Sequence, residues 1–157
     1  MTASSGPLKG LALAQVAIGV RDIDAARRRW AAVLGVDVPE IVEVEAGSRV
    51  RMTYRGLPSD AWAKLAFFDL GGVSLELVEP VGDDSAWKDG LDRNGESIHH
   101  IAFWTDNMVE TAAGLGDHDV ELIQRGDMGE GQYAYFDATG PLGCVIELLE
   151  HGRSQDI

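Results

Sequence analysis

The run Ser97-Ile98-His99-His100-Ile101-Ala102-Phe103 places two adjacent histidines at the start of a short apolar stretch. Neighbouring side chains on a strand face opposite sides, so this spacing predicts one imidazole on each face. His100 is assigned to a concave face as a metal ligand, with Gln15, Glu76 and Glu147 as its partners. His99 is expected to point the other way and make a structural hydrogen bond. Both carboxylates stand among apolar neighbours, Leu75-Glu76-Leu77 and Ile146-Glu147-Leu148. There a glutamate is costly unless a cation or a proton neutralises it. One imidazole nitrogen, one amide oxygen and two carboxylates suit one divalent ion, with Zn, Ni, Co, Mn and Fe all compatible. An octahedral ion with four protein ligands keeps two positions for water or for two neighbouring substrate oxygens, an arrangement that stabilises an enolate.

The elements that must position these residues read as a repeat. Leu11 to Val20 reads as a strand, and Asp22 caps a helix whose apolar stripe runs through Ile23, Ala26, Trp30, Val33 and Leu34 to Gly35. Ile41 to Glu45 and Val50 to Tyr54 read as two strands joined by a Gly47-Ser48 turn, followed by a loop from Arg55 to Trp62. Leu65 to Leu70 and Val73 to Val78 make a hairpin around Gly71-Gly72. After a connector with a short helix following Asp84 and Ser85, the pattern restarts. A strand holds His100, Asn107 caps a helix, and Val120 to Gln124, Tyr133 to Asp137 and Cys144 to Leu149 are extended. Phe68-Asp69 with Leu75-Glu76-Leu77 is echoed by Phe136-Asp137 with Ile146-Glu147-Leu148.

The fold class that follows is α+β, two tandem βαβββ modules forming a curled, barrel-like mixed sheet around one metal site. The modules span residues 10–80 and 97–150, the connector 81–96, and flexible tails 1–9 and 151–157. Gln15 and His100 open the first strands of their halves, while Glu76 and Glu147 sit in the last. The two pairs therefore converge on the axis between the halves. Glu79 and Glu150, three residues further on, are expected on the other face and in solvent.

Composition limits the alternatives. A chain of 157 residues with 45% apolar content builds one domain, or two small halves sharing a core. The net charge of -13, from 26 acidic and 13 basic residues, speaks against nucleic acid and anionic membrane as partners and leaves a small-molecule substrate. No apolar run approaches the roughly 18 residues that span a bilayer. Met1 to Pro7 lacks the basic start and apolar core of a signal peptide, and the single Cys144 fits a reducing cytoplasm. Trp62, Trp104, Tyr133 and Tyr135 are candidate walls for an apolar pocket, and Gly126 to Gly131 reads as a loop able to cover it.

From Gln15-Val16-Ala17-Ile18-Gly19-Val20-Arg21-Asp22 through the His-His-Ile-Ala-Phe stretch to Val145-Ile146-Glu147-Leu148, the chain resembles the vicinal oxygen chelate superfamily, the glyoxalase, bleomycin resistance and dioxygenase proteins. Within it, Leu75-Glu76-Leu77-Val78-Glu79-Pro80, Asp84-Ser85-Ala86 and Asn94-Gly95-Glu96 ahead of His99-His100 are similar to methylmalonyl-CoA epimerases. The resemblance implies a metal-dependent isomerase that moves a proton alpha to a carbonyl through a metal-stabilised enolate, on an acyl-CoA or a related 2-substituted acid. It also implies a homodimer, with the site in one chain or across two. The residue set departs from the epimerase pattern, which has His where Gln15 stands and often Gln where Glu76 stands. Gln, Glu, His and Glu together look like the ligands of glyoxalase I, so a lyase acting on a hemithioacetal is the alternative. A metal-free antibiotic-binding protein is a third reading. The epimerase carboxylate expected near Val50-Arg51-Met52 is replaced by Met52, which cannot take a proton. Either Glu43 or Glu45 substitutes as base, or Glu147 serves as both ligand and base.

Overall fold

The computed structural model describes residues 5–152 and 155–157. Residues 1–4 and 153–154, parts of the expected flexible tails, lie outside the described residues. The first half contains β1 (Leu13–Gly19), α1 (Ile23–Leu34), β2 (Val42–Glu43), β3 (Thr53–Tyr54), β4 (Leu57–Pro58), β5 (Trp62–Asp69) and β6 (Ser74–Val81). Then come α2 (Ala86–Asn94), β7 (Ser97–Trp104), α3 (Met108–Gly116), β8 (Glu121–Met128), β9 (Gly131–Asp137), α4 (Thr139–Leu142) and β10 (Val145–Glu150).

All ten strands form one sheet in the order β2-β5-β6-β1-β7-β10-β9-β8-β3-β4. Each half has its first strand at the centre, β1 antiparallel to β7, and flanks it with its last strand in parallel, β6 on β1 and β10 on β7. A parallel neighbour needs a crossover, which α1 and α3 begin. Asp22 accepts from Ala25 N to start α1, and Asn107 accepts from Glu110 N to start α3. α1 buries Ile23 and Ala31 against Ala66, Phe68 and Leu77, and α3 buries Met108 and Leu115 against Phe136, Ile146 and Leu148. These two cores cover the convex side of the curled sheet. A third, built from Met52, Ala63, Val78, Trp87, Tyr135 and Val145, fills part of the concave side.

Residues 41–54 depart from the expected hairpin. β2 pairs with β5 at one edge of the sheet, whereas β3 pairs with β8 near the opposite edge, so the chain between them crosses the open mouth. Gly47 permits the crossing: its N–H donates to Ala61 O at 3.0 Å, and a Cβ there would stand 2.1 Å from Ser59 O. Arg51 and Arg55 adopt φ of 47° and 49°, just before and just after β3, which confines that strand to two residues. Val44, Val50, Met52 and Tyr54 gain burial against the third core by crossing, which a hairpin at the edge would not offer.

The expected loop from Gly126 to Gly131 is mostly ladder. β8 continues to Met128 and β9 starts at Gly131, leaving a tight turn at Gly129 and Glu130. The described ends of the chain make contacts with the body of the fold. Leu8 and Ile157 pack on the α3 core, Gln155 O accepts from Gln132 Nε2 at 2.7 Å, and Asp156 pairs with Arg51 at 2.9 Å.

Glu79 and Glu150 point to the convex side as expected, but Glu150 is buried, Glu79 is half-buried, and each is held by a helix start. Glu79 accepts from Ile23 N, the first amide of α1, at 2.8 Å, and Glu150 accepts from Met108 N, the first amide of α3, at 2.9 Å. The unpaired amides at a helix start draw a carboxylate there. Among the described residues no helix is long and apolar enough to cross a membrane.

Candidate metal centre

Strand register brings the four candidates to one face. Ala17 of β1 pairs with His100 on one side and Glu76 on the other, and Gln15 lies two residues before Ala17. Glu147 pairs with Ala102, two residues past His100. Residues two apart share a face, so Gln15, Glu76, His100 and Glu147 all point to the concave side.

Three of them meet. His100 Nε2 lies 3.1 Å from Glu147 Oε2 and 4.0 Å from Glu76 Oε2, and one ligand atom from each falls within 4.8 Å of the others. His100 is fully buried, and Glu76 and Glu147 are each 4% exposed. Half-buried Gln15 lines the same cavity as the glutamates. His100 Nε2 and Glu147 Oε2 are buried without a hydrogen-bond partner. An orphaned buried polar atom carries a desolvation penalty of about 1–3 kcal/mol, so two of them facing each other call for a shared proton or a cation. A divalent ion fits: imidazole nitrogen and carboxylate oxygen are its ordinary donors, and two glutamates balance its charge.

The protonation behaviour agrees. Burial pushes Glu147 up to about 8, with a hydrogen bond from Tyr135 working against it. Burial pushes Glu76 up to about 7, opposed by His100 and reinforced by Glu147. Burial lowers His100 to about 4, opposed by Glu76, and lowers His99 to about 3, with His100 adding to the effect. The 3.1 Å approach of His100 and Glu147 at neutral pH therefore involves a neutral imidazole and is not an ion pair. The carboxylates resist ionising alone, and a cation removes that resistance.

His99 does not take the opposite face. The ladder pairs Ala17 with His100 and Ile18 with Ile98, leaving His99 as the extra residue of a β-bulge. A bulge breaks the alternation of side chains. Both imidazoles lie against Tyr135 on the concave side, with ring centroids 5.1 Å from each other. The expected structural hydrogen bond is present, from His99 Nε2 to Ala86 O at 2.7 Å.

A cavity of about 390 Å³ opens above the centre. Its floor includes Gln15, Glu76 and Glu147, and its walls include Leu65, Phe67, Met52, Trp87 and Tyr133. Tyr133 and Tyr135 line it as expected, whereas Trp62 lies beside a separate shallow groove and Trp104 stacks on His151 at 3.8 Å. Met52 is buried in the third core at 2% exposure. Glu43 and Glu45 are exposed at the rim, and register sets Glu43 beside Lys64 on the convex side, away from the floor. Sequence reading missed Trp87, whose Nε1 donates to the Tyr135 hydroxyl at 2.9 Å while that hydroxyl hydrogen-bonds Glu147. The partners lie 48 residues apart, so no local pattern signals the contact.

The chain is 37% identical over 90 residues to an uncharacterised protein, YqjC, of Bacillus subtilis (strain 168), covering 55% of this chain and 64% of that one. It is 28% identical over 121 residues to the mitochondrial methylmalonyl-CoA epimerase of Bos taurus, covering 76% of this chain and 61% of the relative. The chain thus spans somewhat under two thirds of the length of these curated relatives. A structure of a Streptomyces coelicolor methylmalonyl-CoA epimerase variant in complex with 2-nitronate-propionyl-CoA has a TM-score of 0.63 at 25% identity, covering 92% of this chain and 100% of that one. Residues 14–136 match the family model, and the chain belongs to the Glyoxalase/Bleomycin resistance protein/Dioxygenase superfamily.

Proposed function

We propose that this protein is a metal-dependent enzyme that moves a proton alpha to a carbonyl, epimerase-like, on an acyl thioester or a related 2-substituted acid. The observation that carries the reading is the buried Glu76, His100 and Glu147 group, with two orphaned ligand atoms facing each other beneath an apolar cavity. Gln15 completes the set from the same face. A divalent ion held by these residues would supply a Lewis acid for the carbonyl oxygen and lower the energy of the enolate. Relatives named methylmalonyl-CoA epimerase support the acyl thioester as substrate class.

The chain's own residues supply the rest. The apolar walls exclude water from the reacting carbon, and Tyr135, anchored by Trp87, orients Glu147. Glu147 is the base, because it sits on the cavity floor and burial raises its proton affinity towards neutral. Epimerisation returns the proton to the same carbon from the opposite face. Glu45 at the rim would have to deliver it, since Met52 cannot and Glu43 faces the convex side.

A second reading is favoured by that same Met52 and by the Gln, Glu, His, Glu set. A glyoxalase I-like lyase needs only one base, which returns the proton to the neighbouring carbon, and Glu147 suffices.

Elemental mass spectrometry of the purified protein beside Glu147→Gln tests the metal, expecting about one equivalent of a divalent transition metal that the variant loses. Deuterium exchange from solvent into the alpha position of a 2-methylacyl-CoA supports the epimerase, and turnover of a hemithioacetal supports the lyase. No metal uptake from Zn, Ni, Co or Mn, with neither reaction, overturns both and favours a metal-free binding protein.

A further inference from the structure

The geometry points to His99 as a positioning residue that fixes the proton of His100 on Nδ1, so that the His100 Nε2 lone pair faces the metal position. The inference rests on the reading of His100 as a metal ligand. It starts at the first residue of α2, whose carbonyl, Ala86 O, lies 2.7 Å from His99 Nε2. A carbonyl only accepts, so His99 Nε2 carries a hydrogen. The ring is 7% exposed, and its two nitrogens meet a carbonyl and another imidazole, neither of them anionic, so the ring is neutral and Nδ1 keeps its lone pair. His100 Nδ1 stands 2.8 Å from that lone pair and must donate to it. One N–H per neutral imidazole then leaves His100 Nε2 bare.

The bare nitrogen is the one without a partner, 3.1 Å from Glu147 Oε2, which also lacks one. With Glu147 ionised the two are acceptors that repel at that distance, and a cation between them satisfies both as a shared proton does in the metal-free protein. Metal-binding histidines ordinarily hand their second N–H to a carboxylate, a carbonyl or water. Here the acceptor is a second histidine, itself held by a backbone carbonyl, so the chain of protons runs from α2 to the metal position.

Two backbone features make room for this. The bulge in β7 releases His99 from strand alternation and turns its ring beside His100. Gly90, one turn into α2, admits the ring, since a Cβ there would stand 2.4 Å from His99 Cδ2.

Two measurements test the assignment. The first is the imidazole nitrogen–proton correlation spectrum of the metal-free parent at neutral pH. Opposite tautomers are expected, with the proton on Nε2 in His99 and on Nδ1 in His100; a proton on Nε2 of His100 overturns the proposal whether or not any variant folds. The second is zinc affinity by competition with a chelator. His99→Leu is expected to weaken zinc binding about 10–100-fold, the range typical of outer-shell partners. His99→Asn, which keeps an acceptor near the Nδ1 position, is expected to stay close to the parent. Gly90→Ala is expected to weaken zinc by displacing the ring, although alanine favours the helix. If His99→Leu binds zinc as tightly as the parent while His100→Ala loses it, the positioning role fails and the metal centre stands. If His100→Ala also binds as tightly, both fail.

Discussion

The two halves of the molecule place the same residues at equivalent points and build around them with different firmness. In the second half both candidate ligands are tied to α2, His100 through His99 and Ala86, Glu147 through Tyr135 and Trp87. The first half offers Gln15, half-buried, where the second offers a fully buried imidazole. The convex side repeats the contrast. Glu150 is 2% exposed and accepts from Gln132 Nε2 as well as from the start of α3, while Glu79 is partly exposed and shared between the start of α1 and Lys64. Duplication supplied the positions, and burial decides how much each one holds.

Substitution at the centre should expose this asymmetry most sharply. His100→Ala is expected to reduce zinc affinity more than about a hundredfold, beyond the range of outer-shell partners, whereas Gln15→Ala should cost about tenfold because water can replace a half-exposed amide. Calorimetric titration of both variants checks this, and equal losses would erase the distinction between the halves. On the convex side, Glu150→Ala leaves the buried Met108 amide without an acceptor and takes one of the two acceptors of Gln132 Nε2, and should destabilise by about 2–4 kcal/mol. Glu79→Ala should cost about 1 kcal/mol or less, since Glu79 is itself partly exposed and water can take its place. Urea unfolding of the pair measures the difference.

The acidity of the centre gives a subtler effect. Glu147 and Glu76 are raised from the ordinary 4.5 to about 8 and about 7, so the unfolded chain gives up these protons first. Their contribution is complete below the unfolded value and is lost as pH rises through the folded ones. His99 and His100, lowered from 6.5 to about 3 and about 4, act oppositely, with stability lost as pH falls below 6.5. Between pH 6.5 and 8 the carboxylates act alone, and metal-free protein should lose stability across that window. Saturating zinc or Glu147→Gln should flatten the slope, and a slope unchanged in Glu147→Gln would remove that residue as its source.

Much of this arrangement was legible because its signals are local. A glutamate between leucines, Leu75-Glu76-Leu77, announces a buried charge, and its echo at Ile146-Glu147-Leu148 reveals the duplication. What escaped depends on partners distant in the chain. The bulge at His99 is a mismatch between β7 and β1, and neither strand alone encodes it. Alternation correctly sent Glu79 and Glu150 to the convex face but cannot say that a helix start waits there. Of the expected Val50 to Tyr54 strand only Thr53–Tyr54 is extended ladder, and its partner is β8, about as far along the chain as β6 is from the chain's start.

That last pairing has a consequence for how the molecule can be divided. Residues of the first half form the outermost ribbon, β3 and β4, against the second half, with Arg55 N bonded to Ile123 O at 2.8 Å and Asp127 N to Val50 O at 2.7 Å. A cut within the connector would strand that ribbon on one fragment and bare β8 on the other, as a template for foreign strands. The duplicated units are thus no longer interchangeable copies: one has lent the other its border, and neither is whole alone.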